Sequence, residues 1–94
     1  MGTALTSTDQ IRDDDGMKTN HVVTTAERLV RVRTLLSNGS ARMIREGAGL
    51  SQAEVAASIG VSGAALSKWE SGTRRAKGQP ALRLEELLDR LVKR

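Results

Sequence analysis

The stretch SKWESGTRRAKGQ sets Lys68 just ahead of three further cations, Arg74, Arg75 and Lys77. Ammonium and guanidinium groups are donors without acceptors, and their best partners are the oxygens of carboxylates and phosphates. The distribution of charge along the chain points the same way. The 94 residues carry a net +4, but residues 1–20 hold Asp9, Asp13, Asp14 and Asp15 against only Arg12 and Lys18. That acidic leader stands at −2, so the remainder carries +6. A small basic domain behind an acidic leader suits a polyanionic partner. A charge run is more often a plain solvated face, so the cluster needs a structural context before it means anything.

Other chemistry lacks its parts. There is no cysteine, hence no disulfide framework and no thiolate metal site, and His21 is the only histidine. No phosphate loop occurs, and Glu85, Glu86 and Asp89 read as the wet face of a helix rather than a catalytic pair. The expectation is a non-enzyme without cofactor or metal, in a reducing, cytoplasmic setting. No apolar run approaches the roughly 20 residues of a membrane span, and no signal-peptide core is present. The opening Met1-Gly2-Thr3-Ala4-Leu5-Thr6 fits the loose myristoylation pattern, a match too short to carry weight.

The elements that must position the cations read as helices throughout. Residues 1–23 lack apolar periodicity and are expected to be a disordered leader, within which Met17 offers a second start. Residues 24–94 are expected to form the domain. Thr24 and Glu27 have capping-box spacing, and Leu29, Val32 and Leu36 follow at i, i+3 and i+7, which predicts a helix over about 25–37. Asn38-Gly39 is a stop. Ser40 is expected to cap a short helix carrying Met43 and Ile44, which the Gly47-Ala48-Gly49 loop closes. Ser51 and Glu54 form a second capping box, starting a helix with Val55, Ala56 and Ile59 on one face. Ser62 restarts the chain for a helix with Leu66 and Trp69, ended by Gly72. Pro80 suits the first turn of a last helix with Leu84, Leu87, Leu88 and Leu91 as its stripe. With no strand pattern, the fold class is all-α, a compact bundle of about five helices.

The pair at residues 51–71 has a mechanical logic. Counting from Gln52, apolar residues fall at the fourth (Val55), eighth (Ile59), tenth (Val61), fifteenth (Leu66) and eighteenth (Trp69) positions, with small Ala56 at the fifth and Gly60 at the ninth. Ala56 lets two helices cross closely, aided by Ala53; Gly60 ends the first; Val61 plugs the turn from inside; Ser62 caps the second. Trp69, in register with Leu66, belongs to the core rather than to a stacked base.

SQAEVAASIGVSGAALSKWESG resembles the helix-turn-helix of the lambda repressor/Cro, or XRE, type. The resemblance is specific over about 40–72, plausible over 80–93, and leaves the helix at 25–37 as an addition before the family's usual first helix. It implies a lambda repressor-like DNA-binding domain whose helix 63–71 enters the major groove. Gln52 would then contact phosphate and brace the reading helix. Ser62 would contact phosphate as well as cap. Gly63 and Ala64 stand where relatives often carry long amides; Ala64 offers a methyl to a thymine and Gly63 nothing polar, which moves base reading onto Ser67 and Lys68. Arg74, Arg75 and Lys77 would lie along the phosphate backbone, with Arg42 and Arg45 as weaker candidates of the same kind. The function implied is a sequence-specific double-stranded DNA-binding transcriptional regulator, a repressor acting as a homodimer through the last helix or the added one. The competing expectation is an antitoxin-like or coactivator-like module with a protein partner and weak DNA binding.

Overall fold

The computed structural model describes residues 23–93, and residues 1–22 of the expected leader, with His21 and Met17, lie outside them. Five helices and no strand are found among the described residues: α1 Thr25–Ser37, α2 Ser40–Gly47, α3 Gln52–Ile59, α4 Gly63–Ser71 and α5 Gly78–Lys93.

Local chemistry explains most of the boundaries. At α1, Thr24 Oγ1 accepts from Glu27 N at 3.1 Å while Glu27 Oε1 accepts from Thr24 N at 2.8 Å. The same reciprocal pair opens α3, with Glu54 N on Ser51 Oγ at 3.0 Å and Ser51 N on Glu54 Oε1 at 2.8 Å. Each box satisfies two amides that a helix start would otherwise leave bare. The expected cap at Ser40 is corrected. Gly39, at φ 84°, is the N-cap, Ser40 is already helical, and the Asn38 side chain accepts from Ser40 N at 2.9 Å. The last helix starts at Gly78, which places Pro80 in its first turn as expected.

The core draws on every helix. Val32 and Leu36 of α1, Ala41 of α2, Val55, Ala56 and Ile59 of α3, Leu66 and Trp69 of α4, and Ala81, Leu84 and Leu88 of α5 are buried together with Ala76. α3 and α4 cross at the small residues. Ala56 is 1% exposed, and a Cβ added at Gly63 would stand only 3.9 Å from the Ala53 Cα. The crossing thus leaves room for one methyl at Gly63 and little more.

α1 packs chiefly along α5, and an ionic seam accompanies the apolar one. Arg28 reaches Glu85 at 3.0 Å and Glu86 at 3.1 Å, while Arg31 reaches Asp89 at 3.5 Å. Glu85 is therefore not on a wet face, as its neighbours in sequence suggested. It is buried at the α1–α5 contact, where the arginines of α1 compensate its charge.

Candidate nucleic-acid interface

α4 is fixed at both ends and along its inner side. Ser62 Oγ accepts from Ala65 N at 3.0 Å, so the hydroxyl is engaged as the N-cap. At the far end Gly72 takes a left-handed conformation, Gly72 N bonds Trp69 O, and Thr73 N bonds Lys68 O at 3.0 Å. This Schellman pairing closes the helix by satisfying the Lys68 and Trp69 carbonyls. Leu66 and Trp69 anchor the inner side, leaving Ala64 and Lys68 exposed and Gly63 and Ser67 half-buried on the other. The residues expected to face bases thus share one side of one helix, since positions 63, 64, 67 and 68 recur at helical spacing.

The loop after α4 continues that surface. Arg74 N bonds the Lys68 carbonyl at 3.2 Å, so the backbone of the first loop cation is tied to the end of α4. Ala76 is buried, and its carbonyl accepts from Arg33 Nε of α1 at 2.7 Å. With that anchor inward, Arg74, Arg75 and Lys77 are all exposed. The ion pairs of the described residues engage Arg28, Arg31, Arg42, Arg45 and Lys93. None engages Lys68, Arg74, Arg75 or Lys77. Among the described residues the acids are engaged elsewhere, and no described acid pairs with the cations of α4 and its loop.

Beneath this surface lies a network that sequence reasoning missed. Arg45 of α2 grips Glu70 of α4 through two bonds, Nε to Oε2 at 2.8 Å and Nη2 to Oε1 at 3.1 Å, and also donates to the Leu50 carbonyl at 2.8 Å. Gln52 at the start of α3 donates its amide to Glu70 Oε1 at 2.9 Å. The two charged side chains are only 9% and 6% exposed. Burial works against the Glu70 charge, but the hydrogen bonds from Arg45 and Gln52 and the guanidinium's charge outweigh it and hold the carboxyl below its ordinary range. Arg45 is thereby removed from the candidate phosphate contacts, because its guanidinium is consumed inside the domain. Arg42 pairs with Glu46 at 3.1 Å on the exposed side of α2. Gln52 is tied to α4 through Glu70.

Residues 42–91, more than half of the chain, match a family model described as helix-turn-helix. The chain belongs to the helix-turn-helix family of the lambda-repressor, or XRE, type. No curated protein and no solved structure matches it. The family is one of DNA-binding regulators and typically non-enzymatic. In this helix-turn-helix protein the match spans α2 to α5 and leaves α1 outside, although α1 contributes Val32 and Leu36 to the shared core. No described helix is long and apolar enough to cross a membrane.

Proposed function

We propose that the protein is a sequence-specific double-stranded DNA-binding transcriptional regulator, a repressor that acts as a dimer and places α4 in the major groove. The observation that carries this reading is the division of labour around α4. Leu66, Trp69 and Glu70 hold the helix from within, while Ala64, Ser67 and Lys68 face out beside three cations, unpaired among the described residues, on an anchored loop. Lys68 suits guanine O6 and N7; Ser67 offers a hydroxyl; Ala64 offers a methyl to thymine; Gly63 keeps the backbone low. Arg74, Arg75 and Lys77 suit phosphates, as does the amino end of α3 at Gln52 and of α4 at Ser62.

A single reading helix covers few base pairs, so a two-fold operator read by two copies gives the necessary site length. α1 turns Leu29, Val32 and Leu36 inward, which spends its apolar face on the core. The exposed Val92 near the end of α5 shares a small cleft with Leu35 and Ile44, and this side is the one we assign to the second copy.

The test is a DNA titration at two salt concentrations. Phosphate-based binding weakens steeply as salt rises, with a log–log slope of about −0.9 for each neutralised phosphate. Saturable binding with such a slope, and a preferred site recovered by selection from random DNA, support the regulator. No binding at low salt would favour the protein-partner module instead.

A further inference from the structure

α1 stands outside the family match, yet together with the loop after α4 it bounds a cleft of about 370 Å³. Val30, Arg33, Thr34 and Ser37 line it from one side of α1, at helical spacing, and Trp69, Arg74 and Arg75 line it from the other. Its volume falls in the range of small-molecule sites, roughly 300–1,000 Å³, which combine apolar walls with a few convergent polar groups. The cleft has both parts. Val30, Leu36 and Trp69 supply apolar wall, and three arginines supply donors of one sign. Arg33 spends its Nε on the Ala76 carbonyl, which leaves its remaining N–H donors for a ligand. Glu27, one turn earlier on the same side of α1, directs its carboxylate to the Thr24 cap.

We propose that this cleft binds a small amphipathic monoanion, an apolar body bearing a carboxylate, and that the bound anion weakens the grip on DNA. The charge argument selects the ligand class. A purely apolar molecule leaves three guanidinium groups unused, and a small inorganic anion leaves the exposed Val30 uncovered. The coupling follows from shared groups, and it rests on the reading of Arg74 and Arg75 as phosphate contacts. A carboxylate held between Arg33, Arg74 and Arg75 draws on guanidinium donors that the DNA backbone also needs. A pull on Arg33 also acts on Ala76, the buried anchor of the loop. Coupling of this kind is reciprocal, so DNA must weaken the anion by the same factor.

Trp69 is the only aromatic residue and lines the cleft, so its emission reports occupancy directly. The experiment titrates the full chain with octanoate, below its micelle range, with 1-octanol and acetate as the apolar and charged halves alone. The expected result is a saturable change in Trp69 emission with octanoate, and binding at least about tenfold weaker for either half, the scale of one charge-assisted hydrogen bond. Val30→Glu, an exposed substitution that sets a like charge at the rim, should weaken octanoate about tenfold by the same reasoning. Saturating octanoate should raise the DNA Kd of the parent several-fold and lose that effect in Val30→Glu. A Trp69 emission that does not respond saturably, an equal response to 1-octanol, or an unchanged titration in Val30→Glu would overturn the site. A Trp69 response without any change in DNA affinity would overturn the coupling. If the chain bound no DNA at all, the regulator reading would fall while the Trp69 titration still decided the cleft.

Discussion

Glu70 is the side chain through which α2 and α3 hold α4, since it joins α4 to Arg45 of α2 and Gln52 of α3. Removing one partner of a buried pair leaves the other charge uncompensated, at a cost of about 3–5 kcal/mol. Glu70→Ala should therefore lower thermal stability by that order, and Arg45→Met/Glu70→Leu should recover most of the loss by replacing both charges with apolar volume. A double variant no more stable than the single one would contradict the account. The lowered carboxyl also sets a pH dependence. A group whose pKa is depressed on folding adds stability above the ordinary value of 4.5 and loses it as pH falls through the depressed value. Glu54 acts in the same sense, held down first by the Ser51 amide and then by its hydroxyl. The melting temperature should thus be level above about pH 5.5 and fall below about pH 4.5, with a shallower fall in Glu70→Gln. An identical acid profile in that variant would remove Glu70 from the explanation. The sequence displayed Glu70 as part of a W-E-S-G ending but could not show its burial, because Arg45 lies 25 residues earlier. The same blindness misplaced Glu85, whose partner Arg28 comes from 57 residues upstream. Periodicity reports the faces of one element and is silent about which charges another element brings to them.

Among the helices, the features that can be read from sequence are those closed within a few residues. Both capping boxes, the stop at Asn38-Gly39 and the ends at Gly60 and Gly72 form as expected, since each depends on partners within five positions. The shift of the α2 cap from Ser40 to Gly39 has a local cause too, because the Asn38 side chain takes the amide that a Ser40 cap would have left to solvent. The crossing of α3 and α4 gives the sharpest test at this scale. Ala56 is buried in the core on α3, so Ala56→Leu should cost about 1–3 kcal/mol through overpacking. Gly60→Ala should cost about 1 kcal/mol or more, because its φ is 85° and the new Cβ would meet Arg83 Nη1 at 3.3 Å. Gly63→Ala, by contrast, places its methyl at ordinary contact distance from Ala53 and should melt within about 0.5 kcal/mol of the parent. Thermal melts of the three variants check the order, and an Ala56→Leu protein as stable as Gly63→Ala would displace the crossing from Ala56.

At the scale of the whole molecule, the charges sort into two populations. Arg28 and Arg31 of α1 and Arg42 and Arg45 of α2 are paired with the acids of α2, α4 and α5, and the cations of α4 and its loop pair with no described acid. The acidic residues 1–20 add a third population of opposite sign. Among the described residues, every buried core residue lies between Val32 and Leu88, and the α1 capping box is made by Thr24 and Glu27. Deletion of residues 1–20 should leave the melting temperature unchanged and raise DNA affinity modestly by removing a net −2, an effect that fades with salt. A large loss of stability in the truncated protein would show that the leader contributes to the fold.

The central claim, that α4 reads bases while its loop grips phosphates, is tested most directly by comparing Lys68→Ala with Arg75→Ala on a selected site and on scrambled DNA at several salt concentrations. Arg75→Ala should weaken both DNAs alike and reduce the salt slope by about one unit per bound subunit. Lys68→Ala should lower the preference for the selected site by about 1–3 kcal/mol and relax the choice at one base position per half-site. Equal weakening on both DNAs by Lys68→Ala would move that lysine to the phosphate contacts, and binding unaffected by either substitution would contradict the assignment of α4 and its loop as the DNA face.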